Sequence, residues 1–306
     1  MESRMRIAGI DIGTNTILML IAEVNNNGGV YPIADYHSIA RLGEKVNETG
    51  VISKQGLERA IGILAEYKKI VEQYSVDFVA CVGTSALREA KNSSDVIQKI
   101  NNHAGFNVDI IDGELEAYLS FIGTVEDTSY SVVLDIGGGS TEIVAGEQEK
   151  ILFRKSINIG AVRFTEKFIS SHPPSEDGIE KIKQECRLHF SKISKDLIRG
   201  NVYAVAGTPT TIVSVLLGLK EYDKTKVDNY HLTIEEIRKA KEMFVSLSIE
   251  DIVTKLYVPR LRADVITAGT LILETFCEHF NLSHLIVSDK GLRYGLVKYY
   301  ARKLLV

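Results

Sequence analysis

The chain has 306 residues, 45% of them hydrophobic, 25% charged and 8% aromatic, with a net charge of −4. That length exceeds what one hydrophobic core usually serves, so two domains are expected. The acidic balance argues against a general nucleic-acid or anionic-membrane surface, and any anionic ligand has to be met by local donors and cations.

In chain order the pattern is mixed α/β. The first half reads as strands over 7–12, 17–24, 78–82 and 108–111, with helical periodicity over 53–74, 94–104 and 114–124. The second half reads as strands over 132–136, 143–145, 202–206 and 285–288, with helices over 175–197, 210–217, 233–247 and 262–280. Ser53, Ser175 and Thr233 are placed to cap their helices at the N-terminus. A polar stretch around 123–131 closes the first half, which gives domains of 1–125 and 126–306. The last stretch, "GLRYGLVKYYARKLLV", reads as a helix able to pack back on either half.

No apolar run nears the ~18 residues that cross a bilayer, and "MESRMRIAG" lacks the features of a secretory signal. Cys81, Cys186 and Cys277 are odd in number, far apart and set in apolar surroundings. They read as reduced core residues, so a cytoplasmic setting is expected. No zinc-ligand spacing occurs among the Cys and the seven His.

Two stretches share one plan: "AGIDIGTNTILMLIAEV" (8–24) and "VVLDIGGGSTEIVAGE" (132–147). Asp135 follows Asp11 by 124 positions, Gly137 follows Gly13 by 124, and Gly207 of "AVAGTPT" follows Gly83 of "ACVGTSA" by 124. Two motif pairs at one offset mark a duplication at domain scale. Each half then carries an acidic glycine hairpin and a Gly-Thr turn. Two halves facing one another would set four polar loops around an interdomain cleft.

These loops suit phosphate. Gly13, Thr14, Asn15 and Thr16 in one hairpin, and Gly138, Gly139, Ser140 and Thr141 in the other, can offer successive backbone N–H groups and hydroxyls to phosphate oxygens. Gly207 and Thr208 open an apolar helix, where an anion meets a helix N-terminus. Asp11, Asp135 and Glu142 are hard oxygen donors beside those turns and suit Mg²⁺, with Mn²⁺ as the alternative. Arg88, in "TSALREAKN", has a fork that matches phosphate oxygens. Glu116, near the start of the helix after "IIDGE", is able to take a proton from an attacking water. Acids near helix starts also serve the helix dipole, and spacing does not decide between the two.

With these motifs in view, the chain resembles the exopolyphosphatase / guanosine pentaphosphate phosphohydrolase family in its short two-domain form, within the actin, sugar-kinase and Hsp70 superfamily. The resemblance runs nearly end to end through "DIGTNT", "RLGEKV", "TSALREAKN", "DGELEAYL", "LDIGGGSTEI", "INIGAVRFTEKF", "VAGTPTTI", "RADVITAG" and "IVSDKGLRYGL". It implies an α/β fold of two duplicated ribonuclease-H-like (actin-like ATPase) domains. It also implies metal-dependent removal of the terminal phosphate of polyphosphate, of guanosine pentaphosphate, or of both, and a homodimer. Within the resemblance Glu116 takes the position of the catalytic base, Asp135 and Glu142 those of the metal-linked acids, Arg88 that of the phosphate-binding arginine, and Asp11 that of the first hairpin acid. Other readings are a turnover-deficient regulator that binds polyphosphate or guanosine phosphates, and a kinase or ATPase of the superfamily.

Three departures from the resemblance matter, and a proline adds to them. Leu18 stands where an Arg or His is usual, Tyr118 replaces the Arg after Glu-Ala, and Asp228-Asn229 replaces a common His-Gly. Fewer cations predict weaker hold on a long polyanion. Pro209 removes one backbone donor from the "AGTPTT" loop.

Overall fold

The computed structural model describes residues 4–148 and 150–305. From the start of the chain come β1 (Met5–Ile12), β2 (Thr16–Val24), β3 (Val30–Ile39), α1 (Val46–Thr49) and α2 (Lys54–Gln73). They are followed by β4 (Phe78–Gly83), α3 (Ser85–Glu89), α4 (Ser93–Ala104), β5 (Asp109–Ile110) and α5 (Gly113–Thr124). The plan then restarts with β6 (Ser131–Ile136), β7 (Thr141–Glu147), β8 (Lys150–Ile157), α6 (Ala161–Phe168) and α7 (Glu176–Phe190). Next are β9 (Asn201–Val205), α8 (Gly207–Leu216), α9 (Lys224–Val227), β10 (His231–Thr233) and α10 (Ile234–Ser246). The chain closes with α11 (Ile249–Leu256), α12 (Arg260–Ala263), α13 (Ile266–Phe280), β11 (His284–Val287) and α14 (Leu292–Leu304).

These elements form two compact units. One runs through Gly123 and takes up the chain again at Gly291; the other is Thr124–Lys290. The last helix, α14, thus belongs with the first unit.

The first unit holds a five-stranded sheet in the order β3-β2-β1-β4-β5, in which β1, β2 and β3 are antiparallel and β4 and β5 run parallel to β1. The second unit has β8-β7-β6-β9-β11-β10, again an antiparallel meander followed by parallel β9 and β11, with β10 antiparallel at the far edge. This is the ribonuclease-H-like order, made twice, as the 124-residue offset requires. β1, β2, β6 and β7 read clearly in sequence because their central positions are buried on both faces, where near-continuous apolar runs are favoured.

Each unit packs helices on its sheet. In the first, α2 and α4 lay Leu57, Leu64, Val71, Val96 and Ile100 over Ile10, Ile12 and Met19. The other face of that sheet is closed by α14, whose Tyr294, Val297 and Ala301 meet Ile7, Leu20, Ala22 and Val24. Burying these side chains contributes ~1.5–3 kcal/mol apiece for the larger ones. An ion pair pins the same helix: Arg293 Nε and Nη2 donate to Asp35 of β3 at 2.7 and 2.9 Å, and Tyr294 Oη donates at 3.1 Å. In the second unit Phe190, Phe244, Phe276 and Cys277 join one large core under α7, α10 and α13.

The expected caps form: Ser53 accepts from Gly56 N–H, Ser175 from Gly178 N–H, and Thr233 makes a full capping box with Glu236. Three strands, β3, β8 and β10, were not anticipated. β3 and β8 are edge strands of alternating or partial exposure, and β3 carries Pro32, which an edge tolerates. The helix expected over 175–197 ends at Phe190, and the chain turns there so that Ile193 and Ile198 reach the core. The helix expected over 262–280 is interrupted after Ala263, with Asp264 and Val265 still right-handed. All three cysteines are free and buried. Burial pushes their thiols up, Cys277 to about 12. No helix among the described residues is long and apolar enough to cross a membrane.

Candidate active site

In the first unit the polar loops gather at the carboxyl ends of the parallel strands. β1 ends at Ile12 beside Gly83 of β4, and Gly83 pairs with Ile110 of β5, so the turns after all three lie along one edge. Open α/β sheets place their ligands at such an edge. The β1–β2 turn is closed by Gly13 N–H to Thr16 O (2.9 Å). Its carbonyls are engaged from one side: Gly43 N–H donates to Thr14 O (2.9 Å), and Ala40 and Arg41 N–H donate to Asn15 O (3.0 and 2.9 Å). Among the described residues the N–H groups of Thr14 and Asn15 donate to no carbonyl. Asn15 Oδ1 is buried and has no hydrogen-bond partner there, a cost that a bound ligand would relieve.

Arg88 and Glu116 meet at the same edge. The short α3 begins after β4 and carries Arg88 in its last turn; α5 begins after β5, with Asp112 Oδ1 accepting from Leu115 N–H (2.8 Å) at its start. Arg88 Nη1 donates to Glu116 Oε2 at 3.0 Å and to Ile111 O at 2.8 Å. Glu116 is a buried carboxylate, 8% exposed. Burying it is costly without a cation, and Arg88 supplies one. Both bonds use one nitrogen of a fork that has five N–H donors.

The second unit repeats the turn. Gly137 N–H closes on Ser140 O (3.0 Å), and Gly137, Gly138 and Gly139 give their carbonyls to Ala161, Val162 and Arg163 at the start of α6. Gly138, Gly139 and Ser140 donate to no carbonyl among the described residues. Thr141 is fully buried and gives its hydroxyl to Ile159 O (2.8 Å), so it braces the turn from inside. Gly160 has to be glycine, because a Cβ there would lie 2.4 Å from Gly138 O; Gly43 is equally tight, 2.4 Å from Thr14 Cγ2.

Asp135 on β6 pairs directly with Glu142 on β7, so the two carboxylates stand side by side on one face of the sheet. Ser156 Oγ donates to Glu142 Oε1 at 2.6 Å. The corresponding pair in the first unit is Asp11 with Leu18. Leu18 therefore occupies the position of Glu142 at the 124 offset, and that pair has one carboxylate where its counterpart has two. Two adjacent hard oxygen donors next to open N–H groups fit Mg²⁺, which keeps several waters and takes one or two carboxylates plus phosphate.

After β9 the backbone turns through Ala206 at φ +73 and starts α8 at Gly207, with Thr208 buried in its first turn. Pro209 lies in that first turn, where its missing N–H breaks no helical bond. A residue the sequence reading left without a role stands behind Gly207. Arg262 Nη1 donates to Thr211 Oγ1 (3.1 Å), its guanidinium would lie 3.1 Å from a Cβ at Gly207, and burial holds it below the usual arginine value. The arginine opening the otherwise small and apolar "RADVITAG" was its only signal.

The other departures have structural roles. Tyr118 packs edge-on against Tyr299 of α14, centroids 6.4 Å apart. Asp228 Oδ1 accepts from Asp289 N–H at 2.9 Å and so fixes the loop after β11.

The model of the Ppx/GppA phosphatase family matches residues 20–303. The chain belongs to that family. Its relatives include a bifunctional 3-dehydroquinate synthase/phosphatase of Fusobacterium nucleatum, 33% identical over 305 residues and covering 95% of this chain. The match takes in 46% of that protein, so the chain spans about half its length. Exopolyphosphatase 2 of Mycobacterium tuberculosis is 29% identical, covering 95% of this chain and 97% of the relative. The crystal structure of the Aquifex aeolicus Ppx/GppA family member superposes with a TM-score of 0.82 at 32% identity, covering 99% of each chain. That likeness extends to both units of the fold.

Proposed function

We propose that this Ppx/GppA-family phosphatase releases the terminal phosphate of inorganic polyphosphate, with Glu116 as the base. The observation that carries the reading is the Glu116–Arg88 pair: a buried carboxylate, 3.0 Å from a guanidinium, at the strand edge that bears an open phosphate turn. Full-length relatives named exopolyphosphatase support the substrate.

Glu116 accepts a proton from a water whose oxygen attacks the terminal phosphorus. The bridging P–O bond breaks, and the shortened chain leaves as its phosphate anion while orthophosphate is formed. Arg88 uses its remaining N–H groups on the transferring oxygens, joined by the N–H groups of residues 14–15, and the N–H groups of residues 138–140 are assigned to phosphate oxygens at the second unit's turn. Asp135 and Glu142 would hold Mg²⁺, which when bound would supply positive charge against phosphate oxygens. Phosphoryl transfer asks mainly for positioning and charge neutralisation, which is what these residues offer. Gly207 and Thr208, with the α8 N-terminus, are assigned to phosphate oxygens, and Asp11 to a water at the first hairpin. Guanosine pentaphosphate is the second substrate in this reading, and a cytoplasmic homodimer its setting.

The test is orthophosphate release from long polyphosphate, guanosine pentaphosphate and ATP offered separately with Mg²⁺. Release from either of the first two, lost with EDTA and with Glu116→Gln at near-normal substrate binding, supports the reading. Unaltered turnover in Glu116→Gln removes Glu116 as the base. Tight binding with no release supports a regulator instead.

A further inference from the structure

Strand register sets three side chains in one row across the second unit's meander. Asp135 of β6 pairs with Glu142 of β7, and Glu142 pairs in turn with Ser156 of β8. Paired positions share a face of the sheet, so the three stand together. Ser156 Oγ donates to Glu142 Oε1 at 2.6 Å. That separation is the one a hydroxyl takes on an ionised carboxylate, shorter than a bond between neutral partners. Glu142 is 1% exposed, whereas Ser156 is an exposed residue of an edge strand.

The first unit has the same row with different contents: Asp11 pairs with Leu18, and Leu18 with His37. His37 serves the α14 tether instead, its Nε2 lying 3.0 Å from Arg293 Nη2 and 3.3 Å from Asp35 Oδ1. The third position of the row is therefore not held to serine by the strand, and a hydroxyl stands there only where the middle position is an acid. A hydroxyl fixes the rotation of a carboxylate without cancelling its charge, and so leaves it fit to bind a cation. Given the metal role proposed for Asp135 and Glu142, on which this rests, we infer that Ser156 is a positioning residue. Its hydroxyl holds the Glu142 carboxylate in the orientation from which it and Asp135 take a divalent cation.

The test is Mn²⁺ binding to the full chain, read from the electron paramagnetic resonance signal of the free ion, with phosphate release titrated against Mg²⁺ alongside. Ser156→Val and Ser156→Thr match one another in shape and differ in the hydroxyl. The Val variant is expected to bind Mn²⁺ about tenfold more weakly, the lower end of the cost of losing a metal ligand's hydrogen-bond partner. Its half-saturating Mg²⁺ should rise by the same factor, with turnover at saturating metal kept. The Thr variant is expected to bind Mn²⁺ as wild type does. Melting curves without metal confirm that each variant is folded. A folded Val variant that binds Mn²⁺ like wild type, while Glu142→Gln binds it weakly, overturns the role of Ser156 and leaves the metal site standing. A Thr variant as weak as Val overturns it as well, because the hydroxyl is then not what matters. Wild type that binds no Mn²⁺, or binds it equally after Glu142→Gln, overturns the metal site and the role of Ser156 together.

Discussion

Asp35→Asn is the substitution whose cost follows most directly from the structure. Arg293 is 3% exposed at its side chain and Asp35 18%, and the guanidinium meets the carboxylate through two bonds of 2.7 and 2.9 Å. Asparagine keeps the shape but turns an amide toward donors and removes a carboxylate charge from beside a buried cation. Breaking a buried pair from one side costs about 3–5 kcal/mol; the partial exposure of Asp35 favours the lower end. With a urea m-value of about 2 kcal/mol/M, a 3 kcal/mol loss moves the midpoint of the first unit's transition down by about 1.5 M. The measurement is urea unfolding at pH 7, followed by the fluorescence of tyrosines near α14. A shift below about 0.5 M would refute the assignment of the pair as the main tether of that helix.

The same pair predicts an acid signature. Burial alone would raise the Asp35 carboxyl, but hydrogen bonds from His37 and Arg293 and the Arg293 charge outweigh it and hold it well below the usual carboxylate range. The unfolded chain, with its ordinary value of about 3.9, therefore takes up the proton first as pH falls. The contribution is full above about pH 5 and is lost progressively below about pH 4, and Asp35→Asn should abolish that part of the acid dependence.

Glu142→Gln should raise the Mg²⁺ concentration needed for half-maximal phosphate release by at least about tenfold, read by metal titration; an unchanged requirement would remove Glu142 from the metal site. Gly160→Ala forces a Cβ against Gly138 O and should cost about 1–3 kcal/mol while displacing the turn, seen as lower stability together with weaker polyphosphate binding. Thr233→Ala loses the capping box of α10 and should cost about 1 kcal/mol in the second unit, with turnover at 25 °C kept. The three buried thiols should react with a disulfide reagent only after denaturation; rapid labelling of the native chain would contradict their placement.

The duplication, the two acid hairpins and the three caps were legible because each rests on local chemistry: glycine where a turn needs it, a hydroxyl at a helix start, apolar runs in doubly covered strands. β3 and β8 were not, since an edge strand with one wet face lacks the apolar run that marks a central one. Leu18 read as a lost cation, yet its pairing with Asp11 shows a position that in the other unit carries Glu142, an equivalence that the 124 offset implies and the strand register bears out. Arg88 and Glu116 lie 28 residues apart and meet through the parallel strands β4 and β5, a contact that spacing alone cannot specify. Arg41, Arg163 and Arg262 were quoted within motifs but had no role, because arginines look alike until the backbone around them is known.

The first unit is discontinuous: α14 covers the β1–β2 face, yet the whole of Thr124–Lys290 is synthesised before it. At 5–20 residues per second, roughly ten to thirty seconds pass on the ribosome between the making of α5 and of α14. During that interval Ile7, Leu20, Ala22 and Val24 have no cover from this helix, and by its end the second unit has every residue of its own core. The later segment of the chain is then free to fold first, and the earlier one waits with an apolar sheet face open to chaperones.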